Sequence, residues 1–330
     1  MSSERRTSAR AEAASGPASA APATAGEVIL EGRSLSKRFG GVQALTDVSF
    51  SIRRGEIYGL IGPNGAGKTT FFNVLTGIYL PDEGGFVFEG ASLTGLKPNE
   101  VCERGIARTF QNIRLFGNLS ALENEMIGRH VRTHATVWGA ITRNRSTRNE
   151  EAAIEARAHQ LLEYVGVAHR ANDLAKNLSY GDQRRLEIAR ALATEPRLLA
   201  LDEPAAGMNA TEKLGLKGLI QRIRDDGVTI LLIEHDMKLV MNVVDRLVVL
   251  DYGRRIAEGL PREMQSDPRV IEAYLGVPAG AGAAVAAAAA AAADGEGGRS
   301  GADAARSADV AHDACTTGAA GPGGSHRSHP

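Results

Sequence analysis

The sequence predicts an α/β fold with a mainly parallel core sheet and a helical subdomain inserted between two halves of that core. Two observations lead to this prediction. Short apolar runs typical of strands alternate with helical patterns in the middle of the chain, and such alternation favours parallel strands joined by crossover helices. A helix-rich stretch from about residue 97 to 177 interrupts the alternation, as an inserted subdomain would.

The elements can be assigned in order along the chain. Before the interruption, the pattern predicts a helix at 67–77 and strands at 28–31, 48–52, 56–61 and 85–89. After it, the pattern predicts helices at 183–193, 211–224 and 236–243, separated by strands at 198–201, 228–233 and 246–250. Inside the interruption, a helix is predicted at 148–165 because four apolar residues share one face: Ile154, Leu161, Leu162 and Val165.

Composition divides the chain into a folded middle and two tails. Residues 1–26 are rich in Ala, Ser and Pro, and residues 279–330 are rich in Ala and Gly. Both contain few large apolar residues, so they cannot offset the entropy of ordering and are expected to be disordered. The folded part is therefore predicted to span residues 27–278.

Charge, cysteines and hydropathy narrow the functional classes. The net charge is −1, which gives no overall field to attract nucleic acid, so no nucleic-acid partner is expected. Cys102 and Cys315 stand far apart, which predicts a reducing compartment and neither a disulfide framework nor a metal site. The sequence has no apolar run of membrane-spanning length and no secretion signal. If the protein acts at a membrane, other chains must hold it there.

A glycine-rich loop follows the apolar strand at 56–61 and opens the next helix. It has the pattern GxxxxGK[ST] of a phosphate-binding loop, formed by Gly62, Pro63, Asn64, Gly65, Ala66, Gly67, Lys68 and Thr69, with Thr70 next. Glycines let backbone N–H groups wrap around phosphates, and the start of a helix favours anions. Lys68 can reach the β- and γ-phosphates of a nucleotide, and the Thr69 hydroxyl can bind Mg²⁺.

A second apolar strand, at 198–201, ends in the acidic pair Asp202 and Glu203. Ligands of parallel sheets lie at the carboxyl ends of the strands, so we expect this pair beside the phosphate-binding loop. Asp202 is then placed to hold Mg²⁺, and Glu203 is placed to polarise an attacking water. The alternative is a solvated turn with two acids, which explains the carboxylates but not the apolar run before them.

These two motifs resemble those of ABC ATPases, and further motifs of that family are present. Leu178-Ser179-Tyr180-Gly181-Asp182 resembles the family signature LSGGQ at the start of a helix, where Ser179 is a good N-cap. The resemblance implies that Ser179 and Gly181 contact the γ-phosphate of ATP held by the opposite subunit. The chain departs from the pattern at Tyr180, outside the phosphate-contacting positions, and at Asp182, which brings a negative charge near phosphate.

Three more residues extend the resemblance. Gln111, within Arg108-Thr109-Phe110-Gln111-Asn112, resembles the Q-loop glutamine, which senses Mg²⁺ and water at the junction into the helical subdomain. His235 resembles the switch histidine that contacts the γ-phosphate, although a lone His at a strand end is more often structural. Phe39 resembles the aromatic residue that stacks on adenine, with a core position as the alternative. The family often has Asp where this chain has Asn209.

For the whole chain, the resemblance implies the P-loop NTPase fold of ABC ATPases, with an N-terminal antiparallel β subdomain beside the parallel core. Two ATPase subunits would sandwich two ATP molecules, with Lys68 and Mg²⁺ neutralising the γ-phosphate. Glu203 would orient the water and His235 would hold the geometry. Gln111 would join Thr69 and Asp202 as a metal ligand and take part in catalysis.

Longer segments resemble one subfamily, the first ATPase subunit of bacterial branched-chain amino acid importers; they lie at 110–116, 203–209, 233–241 and 258–276. The resemblance implies a second ATPase subunit in a hetero- or homodimer, two integral-membrane permeases and an extracytoplasmic solute-binding protein. It also implies a peripheral position on the cytoplasmic face of the cell membrane. The ATPase of a urea or amide importer or of a lipopolysaccharide exporter is the alternative. A non-transport ABC protein is less favoured, since no paired cassette, long coiled coil or zinc insertion is found.

Overall fold

The computed structural model describes residues 26–132 and 145–275. The predicted tails lie outside these residues, except for Gly26 at the edge of the first tail. The strands are β1 (Val28–Phe39), β2 (Val42–Arg53), β3 (Ile57–Ile61), β4 (Glu83–Phe88), β5 (Ala91–Ser92), β6 (Ile106–Arg108), β7 (Leu198–Asp202), β8 (Thr229–Ile233), β9 (Arg246–Asp251) and β10 (Arg254–Gly259). The α-helices are α1 (Lys68–Leu75), α2 (Pro98–Glu103), α3 (Ala121–Arg129), α4 (Arg145–Val165), α5 (Tyr180–Leu192), α6 (Ala210–Asp225), α7 (Met237–Val243), α8 (Pro261–Ser266) and α9 (Pro268–Leu275).

The larger sheet has six strands in the order β10-β9-β3-β8-β7-β6. Every neighbouring pair is parallel except β9 and β10. The strands β3, β7 and β8 are buried along their whole length, as expected for continuous apolar runs covered by helices on both faces. The predicted mainly parallel core sheet is therefore confirmed, and the carboxyl ends of β3, β7 and β8 meet at one edge.

The smaller sheet is antiparallel, with the strand order β2-β1-β4-β5. Its inner face packs on α1 through aromatic rings. The Phe71 ring of α1 lies 5.1 Å from that of Phe50 and 5.3 Å from that of Phe86, measured between centroids. This confirms the predicted antiparallel subdomain and shows how it holds the helix that follows the phosphate-binding loop.

The stretch predicted to be helix-rich also contains a strand of the large sheet. The three-residue strand β6 pairs in parallel with β7, with Ile106 opposite Leu198, so the core extends past residue 97 before the helical part begins. A strand of three residues is too short to show a period in the sequence. The helices α3, α4 and α5 then pack on one another, and the predicted apolar face of α4 is buried at Leu161, Leu162 and Val165.

The end of the described chain adds elements that the pattern did not predict. A tight turn at Tyr252 and Gly253, both with positive φ (42° and 73°), reverses the chain into β10, which is the geometry of a two-residue hairpin. Two short helices, α8 and α9, follow it. Within the ranges that the structure covers, no helix combines the length and apolarity needed to cross a bilayer.

Candidate functional site

The phosphate-binding loop joins β3 to α1 and is fixed by its glycines. Gly62 and Gly67 have φ values of 155° and 98°, a region that favours glycine. A Cβ atom at Gly62 would overlap the carbonyl oxygen of Leu250, and one at Gly67 would overlap that of Ala44. The loop backbone is therefore pressed against β9 and β2, a fit that only glycine allows.

Lys68 lies inside this loop and close to the acidic pair. Its side chain is buried, and Nζ donates to the carbonyl oxygens of Gly62 at 2.6 Å and Pro63 at 2.9 Å. Burial lowers the pKa of Lys68, while the charges of Glu203 and Asp202 act in the opposite direction. The carbonyl oxygens of the loop thus hold an ammonium group on which the charges of the two carboxylates also act. Thr69 and Thr70 follow it in the first turn of α1.

Asp202 ends β7 and is buried in an ion pair. Its Oδ2 accepts a hydrogen bond from Nη2 of Arg108 at 2.9 Å, and both side chains are almost fully buried. Burial raises the pKa of Asp202, and Arg108 opposes that shift. The backbone N–H of Asp202 donates to Oγ1 of Thr109. Two successive residues that precede Gln111 in the chain, Arg108 and Thr109, therefore both hold Asp202 in place.

Glu203 stands at the centre of the predicted catalytic residues. Nε2 of Gln111 donates to Glu203 Oε2 at 3.0 Å, and Nδ1 of His235 lies 3.5 Å from the same oxygen. The backbone of Glu203 has a φ of 47° and its N–H donates to the carbonyl oxygen of Ile233. A non-glycine residue in this left-handed region is uncommon and is found at functional sites when the surroundings enforce it. The loops after β6, β7 and β8 thus bring Gln111, Glu203 and His235 together.

The signature segment begins α5 and lies apart from this cluster. Oγ of Ser179 accepts a hydrogen bond from the backbone N–H of Asp182 and donates to its carboxylate at 2.8 Å, so the predicted N-cap is confirmed. Asp182 is held by the cap residue of its own helix. A Cβ at Gly181 would meet the Glu212 carboxylate of α6 at 2.7 Å. In the described part of the chain, no hydrogen bond joins Ser179 or Gly181 to the phosphate-binding loop.

Phe39 lies at the surface, so the alternative of a core position is wrong. Its side chain is 42% exposed. The ring meets Tyr79 edge to face with centroids 5.1 Å apart, and Nζ of Lys37 lies 5.4 Å from its centroid. An exposed aromatic face is what base stacking needs, and the adenine role stays a prediction.

Comparison with known proteins identifies the family. A family model described as ABC transporter matches residues 45–206, and one described as branched-chain amino acid ATP-binding cassette transporter matches residues 254–280. The chain is 45% identical over 250 residues to the high-affinity branched-chain amino acid transport ATP-binding protein BraF of Pseudomonas aeruginosa, covering 75% of this chain and 98% of BraF. The chain belongs to the ABC transporter ATPases.

Other relatives and solved structures agree with this assignment. LivG of Escherichia coli, also described as a high-affinity branched-chain amino acid transport ATP-binding protein, is 44% identical over 249 residues, which cover 75% of this chain and 98% of LivG. A nucleotide-free ATP-binding cassette from an ABC transporter has a TM-score of 0.66 at 33% identity, covering 75% of this chain and 98% of that one. The expected ABC ATPase fold is therefore confirmed, and with it nucleotide binding and ATP hydrolysis as the activity of this chain.

Two buried charged residues of this ABC ATPase support the site but were not predicted from the sequence. Arg108 donates to Oδ1 of Asn73 at 2.7 Å as well as to Asp202, so it links α1 to β7. Glu234 is fully buried, accepts a hydrogen bond from the backbone N–H of Ala205 at 2.8 Å, and has a pKa raised by burial. Each of these two residues directly adjoins a predicted motif. The sequence feature that could have identified them is a charged residue at the end of an apolar strand.

Proposed function

We propose that this ABC ATPase powers the import of branched-chain amino acids: leucine, isoleucine and valine. The observation that carries the proposal is the agreement of two matches. Relatives whose names give that cargo align with 44–45% identity over nearly their whole length. The family model that matches residues 254–280 is described as branched-chain amino acid ATP-binding cassette transporter. We infer a peripheral position on the cytoplasmic face of the cell membrane. The partners are a second ATPase subunit, two permeases and an extracytoplasmic solute-binding protein.

The phosphate-binding loop and Lys68 are proposed to bind the phosphates of ATP, and Phe39 to stack on the adenine. Thr69, Gln111 and Asp202 offer hydroxyl, amide and carboxylate oxygens, a donor set that suits Mg²⁺. Because Nε2 of Gln111 faces Glu203, the amide oxygen is left for the metal. When bound, Mg²⁺ supplies charge neutralisation at the phosphates.

Glu203 is proposed to accept a hydrogen bond from the attacking water and so to orient it in line with the γ-phosphate. Gln111 donates a hydrogen bond to one oxygen of this carboxylate, Oε2, and Nδ1 of His235 lies 3.5 Å from the same oxygen. Lys68 balances charge that develops on the phosphate oxygens. Positioning and charge neutralisation are what phosphoryl transfer mainly requires.

Ser179 and Gly181 are proposed to act on the nucleotide of a second subunit. Two observations support this: the signature segment has no hydrogen bond to the phosphate-binding loop of its own chain within the described ranges, and related cassettes dimerise. One of them is described as a dimeric post-hydrolysis state bound to ADP and Pi, with 25% identity and a TM-score of 0.61 over 71% of this chain and 99% of that one.

The substitution Glu203→Gln tests the catalytic assignment. It keeps size and hydrogen-bonding capacity but removes the charge, so ATP should still bind while the hydrolysis rate falls by about 10² or more. The measurements are ATPase rate, ATP affinity and ATP-dependent association by gel filtration with the co-purified partner, where the variant should form a longer-lived dimer. Glu155→Gln on the exposed face of α4 is the matched control. An unchanged rate would show that Glu203 is not the catalytic carboxylate, and lost ATP binding would show that its role and that of Asp202 are exchanged.

Uptake of labelled leucine by a deletion strain tests the cargo. High-affinity uptake should be lost and should return with the intact gene but not with the Glu203→Gln form. Unchanged leucine uptake together with a defect for another solute, such as urea or an amide, would overturn the cargo and leave the ATPase assignment standing.

A further inference from the structure

Helix α5 carries a buried ion pair near its beginning. Nη1 of Arg184 and Oε2 of Glu187 are 3.1 Å apart, and both side chains are only 2% exposed. Their spacing of three residues puts them on the same face of the helix. Burying two charges costs desolvation that an apolar pair would avoid, so the pair is weak as a stabilising device. Its contacts point to a positional role.

The pair forms hydrogen bonds with the main chain of the Q-loop. Nη1 of Arg184 donates to the carbonyl oxygen of Phe110 at 2.7 Å, and Nη2 donates to the carbonyl oxygen of Gln111. From the other side, the backbone N–H of Phe110 donates to Oε1 of Glu187 at 3.3 Å. A guanidinium fork fixes direction as well as distance. Three hydrogen bonds therefore hold two successive residues of the Q-loop against α5.

We propose that Arg184 and Glu187 are positioning residues for hydrolysis, which hold Gln111 against Glu203 and tie it to α5. The last main-chain group that the pair binds is the carbonyl oxygen of Gln111. The side chain of the same residue donates a hydrogen bond from Nε2 to Oε2 of Glu203 at 3.0 Å. The inference rests on the proposed function, in which Glu203 orients the water. Among the described residues, the pair makes no hydrogen bond to Glu203 or Lys68, so its effect on hydrolysis would pass through Gln111.

Arg184 of this pair also connects the Q-loop to the signature segment. Nη2 of Arg184 also donates to the hydroxyl of Tyr180 at 3.0 Å, and the guanidinium lies over the Tyr180 ring. Tyr180 stands between Ser179 and Gly181, so this contact gives a reason for the tyrosine at that position of the signature. A shift of α5 when Ser179 and Gly181 engage the nucleotide of a second subunit is thereby passed to Gln111. Each chain links the two sites of the dimer.

Replacing the pair as a unit tests the proposal. Arg184→Met with Glu187→Leu removes the three hydrogen bonds to the Q-loop main chain without leaving one buried charge unpaired. With the co-purified partner ATPase, the ATP affinity should stay unchanged, while kcat falls by about 10²-fold because Gln111 is no longer held. The matched control is Arg170→Met with Asp173→Leu, an ion pair of the same spacing whose side chains are 52% and 45% exposed; it should keep the wild-type kcat.

A Gln111→Ala background separates positioning from general support of the fold. If the pair acts through Gln111, removing it from the Gln111→Ala protein causes little further loss of kcat. A merely structural role would lower kcat by the same factor in both backgrounds. A wild-type kcat in the pair variant, or equal losses in the two backgrounds, overturns the proposal.

A conservative variant keeps the test decisive if the pair variant does not fold. Arg184→Lys retains the charge but not the fork, so it should fold and give a kcat between those of the wild type and Gln111→Ala; an unchanged kcat overturns the proposal. The outcome is separable from the assignment of Glu203. If Glu203→Gln abolishes hydrolysis while the pair variants keep it, the positioning role of Arg184 and Glu187 is wrong and the catalytic assignment of Glu203 is right.

Discussion

Glu125 of α3 is a buried acid outside the nucleotide site, and it makes the stability of the protein depend on pH. Its exposed fraction is 0%, and neither carboxylate oxygen has a hydrogen-bond partner among the described residues. The charges that act on it are those of Arg190 on α5 and Arg157 on α4. Burial dominates over both and raises the pKa of Glu125 to about 8.

The sign and the size of the effect follow from that shift. The folded protein binds the Glu125 proton more tightly than the unfolded chain, whose ordinary value is 4.5. The contribution of Glu125 to the free energy of unfolding is therefore greatest below pH 4.5, and it is lost as the pH rises towards 8. Each pH unit inside this window costs up to about 1.4 kcal/mol, so the contribution of Glu125 to the free energy of unfolding falls by about 2 to 3 kcal/mol between pH 5 and pH 7.

Glu125→Met removes the titrating group at similar volume. Its gain in the free energy of unfolding over the wild type should be larger at pH 7 than at pH 5, by about 2 to 3 kcal/mol. Urea denaturation at both pH values measures it, with Glu155→Met on the exposed face of α4 as the control for a general loss of charge. A gain that is absent, or that is equal at the two pH values, would refute the reasoning about Glu125.

Two further predictions concern the phosphate-binding loop and the tails. Gly67→Ala should lower the melting temperature and abolish stabilisation by Mg-ATP, because its Cβ meets a backbone carbonyl; Gly65→Ala also carries a positive φ of 83° but has open space, so it should destabilise less. Equal melting temperatures for the two variants would contradict the packing argument. A shortened chain of residues 27–278 should melt like the full chain and gain the same stability from Mg-ATP, because the removed segments lack core-forming residues; an insoluble product would show that a tail is needed.

The parts of the fold that could be predicted were those encoded locally. The apolar run at 57–61 followed by Gly62 specifies a buried strand and the loop after it, because each neighbour in the sequence is also a neighbour in space. The pair Arg108–Asp202 spans 94 positions and the contact of Arg184 with Phe110 spans 74. No period or spacing links residues so far apart, and their partners become visible only when the sheet and α5 are placed.

The strand order places β3 between β8 and β9, and this has a consequence for synthesis of the chain. The side chain of Thr229 accepts a hydrogen bond from Gly55 across 174 positions, and that of Asp245 accepts one from Ile57 across 188. At roughly 5 to 20 residues per second, the ribosome needs on the order of 10 to 35 s after β3 emerges before its first neighbour exists. During that time an apolar strand has two open edges and is prone to aggregation. A chain that stops before residue 229 therefore contains the complete phosphate-binding loop and its contact with β2, but it lacks both sheet neighbours of β3. We expect such a fragment to be recognised by chaperones and proteases and to lack ATPase activity.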